Sequence, residues 1–231
     1  MAVELTADKA AASERRARYG LLLAAIFASF GFQGIASPGD WQQIVITALL
    51  ATTLVLALWA ASARAWVIRV AIGVGALLVV LTIVLALTGH SGGAGPRLAN
   101  LLLVVLAPPA IVLGVVRNLR ARRHVTVEAV FGVLCLYILL GMCFAFLYGS
   151  IDRLGQQQFF AQHVSASVSN CLYFSFTTLT TVGYGDLTAA TNLGHTLSNA
   201  ESLIGQIYLV TVVAVLVSNL SRPQRRAQSG T

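Results

Sequence analysis

Long apolar stretches separated by short polar segments make up most of this 231-residue chain. A helix needs about 20 apolar residues to cross a bilayer, because each residue advances it by about 1.5 Å through about 30 Å of hydrocarbon. Six stretches reach or approach this length, namely residues 19–36, 44–63, 66–87, 98–116, 127–147 and 192–220. The pattern therefore predicts an all-α membrane protein with six transmembrane helices.

A seventh apolar stretch, residues 168–185, lies between the fifth and sixth predicted helices. Its second half contains Gly183 and Gly185, so we expect it to leave the helical conformation within the membrane. Non-helical backbone is tolerated at that depth only where it is buried in protein or lines water. We therefore predict a re-entrant segment rather than a seventh crossing.

The basic residues predict the orientation of the chain. If the N-terminus is cytoplasmic, only Arg97 and Arg153 of the 15 Lys and Arg residues fall outside, which satisfies the positive-inside rule. An odd number of spans would break this bias, so both termini are expected in the cytoplasm. The first apolar stretch follows basic residues, as the apolar region of a signal peptide would. Its removal would spoil the alternation of basic and non-basic loops between the two sides of the membrane, so we expect it to remain as a helix.

Composition limits the partners and cofactors. The chain is 57 % hydrophobic and 10 % charged, with a net charge of +7. Arginines at helix ends meet anionic lipid head groups, so this charge implies membrane lipids as partners and no nucleic acid. The three cysteines lie inside predicted membrane segments without metal-ligand spacing, so we expect no metal cofactor. A single Lys among the basic residues suggests a GC-rich bacterial genome and an inner cell membrane.

One five-residue motif indicates the function: Thr181, Val182, Gly183, Tyr184 and Gly185. Glycines can take positive φ, so successive carbonyls can turn toward one axis and replace the hydration shell of K⁺. The motif resembles the selectivity filter of the potassium channel superfamily. The resemblance extends over residues 127–220 as outer helix, pore helix, filter and inner helix. It implies that the first four residues bind K⁺ through carbonyls, Thr181 also through its hydroxyl, while Gly185 forms the mouth turn.

The same resemblance implies the assembly and the division of the chain. A closed ring of carbonyls needs four copies, and this chain carries one, so a homotetramer is expected. Residues 1–18 are predicted as a cytoplasmic leader, 19–123 as a peripheral four-helix bundle, 124–221 as the pore domain and 222–231 as a short tail. Because that tail is short, we expect no attached regulatory domain.

Further roles follow from the resemblance. Tyr173 and Asp186 match a pair that hydrogen-bonds behind the filter, although Asp186 alternatively is a solvated charge at the mouth. Thr177 and Thr178 either pack between helices or face the cavity or the back of the filter. Gly205 matches an inner-helix hinge, with close helix packing as the alternative. The face expected to line the cavity comprises Gln206, Leu209, Val213, Ala214 and Val217, of which Ala214 and Val217 approach the cytoplasmic constriction.

Two charge patterns bear on regulation. Glu201 is an ionisable residue at membrane depth, which we expect either to anchor the inner helix or to sense pH. Ser198 or a backbone group of the pore helix is its predicted partner. Residues 98–116 contain no Lys or Arg. Since voltage sensing needs several such charges, the first four helices are a degenerate sensor, a lipid-facing brace or a ligand-responsive bundle.

These patterns predict a passive potassium-selective channel that is not strongly voltage-gated and has no cofactor besides the transported K⁺. The alternatives are a non-conducting membrane scaffold that retains a relic pore, and a subunit of a potassium uptake transporter. Such transporters need four linked pore repeats, whereas this chain has one. No pairing of a nucleophile with a base is evident, so we do not expect an enzyme.

Overall fold

A computed structural model describes residues 2–35, 39–88, 94–122, 127–155 and 157–220. Within these residues the chain is helical apart from turns, irregular loops such as residues 163–167, and an isolated antiparallel bridge between Phe160 and Ala189. The helices are α1 (Ala2–Ile35), α2 (Asp40–Ala60), α3 (Ala65–Leu87), α4 (Ala94–Arg122), α5 (Val127–Leu154), α6 (Val168–Leu179) and α7 (Asn192–Leu220).

All of these helices except α6 are long and apolar enough to cross a membrane, which confirms the six predicted apolar helices. With 12 residues, α6 extends only about 18 Å and is too short to cross. Several helices extend beyond the predicted apolar stretches. The leader is helical from Ala2 and continuous with α1, α4 extends beyond 98–116 at both ends, and α5 continues to Leu154. Polar residues can extend these helices because their backbone bonds are made inside the helix.

The first four helices form a bundle in which α2 packs against α1, α3 and α4. Both α1 and α4 also pack against α5, and α1 reaches α6, so two helices connect the bundle to the second half of the chain. In contrast, among the helices of the described residues α3 contacts only α2 and, slightly, α4. Apart from Arg69 near its start, its exposed side chains, such as Leu77 and Val80, are apolar, which suits a helix that faces lipid.

The second half of the chain packs α6 between α5 and α7. An aromatic cluster of Tyr148, Phe159, Phe160 and Phe174 holds the middle of α6, with ring centroids 4.8 to 5.8 Å apart. All four rings are buried. Because Phe160 also pairs with Ala189, the cluster ties the segment before α6 to the loop that follows residues 181–185.

Candidate functional site

Helix α6 places the predicted filter residues 181–185, called here the TVGYG segment. The helix begins after Ser167, whose hydroxyl accepts a hydrogen bond from the backbone N–H of Asn170 at 3.1 Å. After its last turn the chain folds back beside it, because Thr181 N donates to Thr178 O (2.9 Å) and Gly183 N to Thr177 O (3.1 Å). The TVGYG segment therefore runs alongside the carboxyl end of α6, where the helix dipole is negative.

The backbone of the TVGYG segment alternates in the sign of φ. Thr181, Gly183 and Gly185 have φ of 58°, 53° and 79°, whereas φ is not positive at Val182 or Tyr184. Such alternation turns successive peptide groups the same way, as in the backbone nests that collect N–H groups on one side. Positive φ was predicted for both glycines and is confirmed. It was not predicted for Thr181, because a β-branched residue rarely adopts it.

Helix α7 contacts the base of the TVGYG segment through Gln206. Its Nε2 donates to the hydroxyl oxygen of Thr181 over 2.8 Å, and that hydroxyl donates to Thr180 O over 2.7 Å. One turn earlier, Ser202 donates to Thr178 O over 3.0 Å. The hydrogen bonds of its backbone N–H and its hydroxyl group help to hold Thr181 in its uncommon conformation. Gln206 was predicted only to line the cavity, so its contact with Thr181 is a further finding.

Gly205 lies where α7 comes nearest to the end of α6. A Cβ atom added at Gly205 would lie 2.3 Å from the carbonyl oxygen of Leu179 and 2.9 Å from its Cδ1 atom. The glycine therefore permits a close helix contact, which was one of the two predicted roles. Helix α7 runs without interruption through this position, and the hinge role stays a prediction.

The predicted hydrogen bond between Tyr173 and Asp186 is present. The phenol donates to Asp186 Oδ2 over 2.8 Å, and Asp186 Oδ1 accepts from Leu187 N over 3.0 Å. The ring of Tyr173 also lies parallel to that of Tyr184, with centroids 6.3 Å apart. Asp186 is therefore held by α6 and by its own loop, although the side chains of Tyr173 and Asp186 are exposed in the single subunit.

The sequence left the roles of Thr177 and Thr178 open, and both residues contribute mainly through their backbone carbonyls. Thr177 O and Thr178 O accept the bonds from Gly183 and Thr181 described above, and the Thr177 hydroxyl donates to Phe174 O over 3.0 Å.

On α7, Leu209, Val213 and Ala214 are exposed in the single subunit, as a surface lining a cavity would be. The side chain of Val217 lies outside the described residues.

Glu201 is fully buried, and its predicted partner was wrong. Ser198 donates instead to Gly194 O on its own helix, over 2.7 Å. The Glu201 carboxyl group contacts Tyr148 Oη on α5 (2.6 Å) and Ser175 Oγ on α6 (2.5 Å). It thus joins α5, α6 and α7, and side chains rather than backbone groups provide the contacts.

Arg97 connects the bundle to this region, which sequence reasoning missed. It is 7 % exposed, and its Nη1 atom donates to Gly149 O on α5 (2.9 Å) and to Ala166 O just before α6 (2.7 Å). A second contact joins Phe30 of α1 to Phe176 of α6, with centroids 4.8 Å apart. In the sequence, Arg97 differs from most basic residues because it is predicted on the outer side of the membrane. That position does not indicate which groups its side chain binds.

Comparison with known families matches residues 132–222 to a family model described as "Ion channel". The matched region begins within α5 and includes α6, the TVGYG segment and α7. No curated protein and no solved structure matches the chain. The apolar helices and this match make the chain a multi-pass membrane protein. The match supports a pore domain of the potassium channel superfamily at residues 132–222.

Proposed function

We propose that this protein is a channel that conducts K⁺ passively and selectively through the TVGYG segment. The observation that carries the proposal is the alternation of φ along residues 181–185, which lie beside the carboxyl end of α6. The carbonyls of Thr181, Val182, Gly183 and Tyr184, with the Thr181 hydroxyl, would replace the water around K⁺. Gly185 would form the mouth turn, and Tyr173 and Asp186 would support the segment from behind.

The proposed active form is a homotetramer. One chain provides one TVGYG segment, and a closed ring of carbonyls requires four. Residues 181–186 are all exposed in the single subunit, as are most residues of α7 between 203 and 215. Four copies around one axis would cover these surfaces and complete the ion site. In this arrangement α6 and the TVGYG segment are re-entrant, and both termini lie in the cytoplasm at a bacterial inner membrane.

The proposed channel responds only weakly to voltage. Residues 98–116 of α4 carry no basic side chain. Arg97, at the start of this helix, is buried and donates to two carbonyl groups outside α4, so its movement would break both bonds. Moving one charge through the field supplies about 2.3 kcal/mol per 100 mV, so steep gating needs several mobile charges.

The proposal is tested by K⁺ efflux from lipid vesicles that contain the purified protein, with and without Ba²⁺. A channel gives rapid efflux that Ba²⁺ blocks and that continues down the K⁺ gradient without a second substrate. Gly183→Ala should abolish efflux, because Ala strains the positive φ at this position. Gly73→Ala is the matched control, since nothing lies within 4 Å of a Cβ atom there.

The same assay separates the alternatives. A non-conducting scaffold would give no efflux from vesicles in which the tetramer is intact. A transporter subunit would move K⁺ only with a partner protein or a coupled gradient. Equal efflux of Na⁺ and K⁺, or normal K⁺ efflux through the Gly183→Ala variant, would refute the assignment of the filter.

A further inference from the structure

The buried carboxyl group of Glu201 has no cationic partner in the part of the chain that the structure describes. Its two oxygens contact Tyr148 Oη and Ser175 Oγ, at 2.6 and 2.5 Å. The other titratable groups that interact with it electrostatically are Tyr137 and Cys143, both on α5 and neither of them basic. An ionised carboxylate is costly to bury without a positive charge, whereas a neutral carboxylic acid is much less so.

The hydrogen bonds around Ser175 provide an independent argument. Its hydroxyl oxygen lies 2.5 Å from Glu201 Oε1 and also 2.7 Å from the carbonyl oxygen of Gly141. A serine hydroxyl carries one hydrogen, and both neighbours are oxygens. If Glu201 were ionised, that hydrogen could occupy only one of the two short contacts. The other would then be two oxygens facing each other with no hydrogen between them.

One additional proton resolves this arrangement. If Glu201 is protonated at Oε1, it donates to Ser175 Oγ, and the Ser175 hydroxyl is free to donate to Gly141 O. Tyr148 donates its own hydrogen to Glu201 Oε2. Each of the three contacts then contains one hydrogen, and the 2.5 Å distance lies at the short end of the range for O–H···O hydrogen bonds.

We infer that Glu201 is buried as the neutral carboxylic acid and that its proton latches α7 to Ser175 of α6. Ser175 lies about one turn before the end of α6, and Gly205 lies about one turn after Glu201. The latch therefore holds the two helices together next to the place where Gly205 contacts Leu179 O. Glu201 is a positioning residue for the TVGYG segment, and this consequence rests on the proposed function.

Infrared spectroscopy of the full-length protein in lipid at neutral pH tests the protonation state. We expect a carbonyl band of a protonated carboxylic acid that shifts when the protein is labelled with ¹³C-glutamate. The band should disappear in Glu201→Gln. It should persist in Glu14→Gln, because Glu14 is exposed and forms a 2.5 Å salt bridge with Arg18. A protein without this band, or a band that remains in Glu201→Gln, would overturn the inference.

The latch itself is tested by thermal unfolding of the same variants. A glutamine amide donates to Ser175 and accepts from Tyr148 as the neutral acid does, so Glu201→Gln should keep the parent melting temperature. Glu201→Asp shortens the side chain by one methylene group and should melt lower. Failure of Glu201→Gln to fold, or the opposite order of the two variants, would contradict the latch.

K⁺ efflux separates this inference from the proposed function. Efflux should be retained in Glu201→Gln and lost in Glu201→Asp. If the parent protein shows the infrared band but conducts no K⁺, the proposed function fails and the neutral acid stands. If it conducts K⁺ without the band, the neutral acid fails and the channel stands.

Discussion

Replacing Gly205 with alanine should force α7 away from the end of α6. The new Cβ atom would lie 2.3 Å from the Leu179 carbonyl oxygen, whereas carbon and oxygen atoms in close contact are usually about 3.3 to 3.6 Å apart. The helices must therefore separate by about 1 Å, since a backbone carbonyl cannot rotate away as a side chain would. Overpacking of this kind costs about 1–3 kcal/mol, and we expect the upper end.

The helix propensity of alanine offsets part of that cost. Ala is favoured over Gly by about 1 kcal/mol in a helix interior, which leaves a net destabilisation of about 2 kcal/mol per subunit. For a chain of this size that corresponds to a melting temperature lower by about 4–8 °C. Gln206 follows Gly205 in the sequence, so the separation should also break the 2.8 Å hydrogen bond from Gln206 to Thr181. K⁺ efflux should therefore fall.

Thermal unfolding in detergent checks this prediction, with Gly73→Ala on α3 as the matched control. Nothing lies within 4 Å of a Cβ atom at Gly73, so that variant should melt at or above the parent temperature. A Gly205→Ala protein that melts with the parent would refute the packing argument. If its K⁺ efflux or open probability nevertheless changed, the hinge role of Gly205 would be favoured instead.

Three further predictions concern the supports around α6. Tyr173→Phe removes the donor to Asp186, so current should decay faster while the tetramer still assembles; decay at the parent rate would contradict the supporting role. Arg97→Gln removes two buried hydrogen bonds from a charged donor and should cost about 3 kcal/mol in thermal unfolding, whereas the exposed Arg153→Gln should cost little. Single-channel recordings should show only weak voltage dependence, and a steep conductance–voltage curve would show that charges outside residues 98–116 move.

The features that could be predicted from the sequence are those that depend on local chemistry. Runs of apolar residues identify the long helices because an apolar span of fixed length is required to cross hydrocarbon. The positive φ of Gly183 and Gly185 was predictable because glycine lacks the Cβ atom that disfavours it. The positive φ of Thr181 could not be predicted, because hydrogen bonds to α6 and from α7 impose it. The conformational propensity of threonine does not reveal these bonds.

The contacts that position α6 could not be read from hydrophobic periodicity, and the membrane explains why. Apolar side chains gain little by packing on each other rather than on lipid, so apolar patterns do not determine which helices meet. Small residues and polar pairs determine it instead. Arg97 fixes the chain before α6, Glu201 contacts its middle at Ser175, and Gly205 and Gln206 contact its end. Each partner lies on another element far along the chain, so the sequence reveals the polar residue at membrane depth without revealing what it binds.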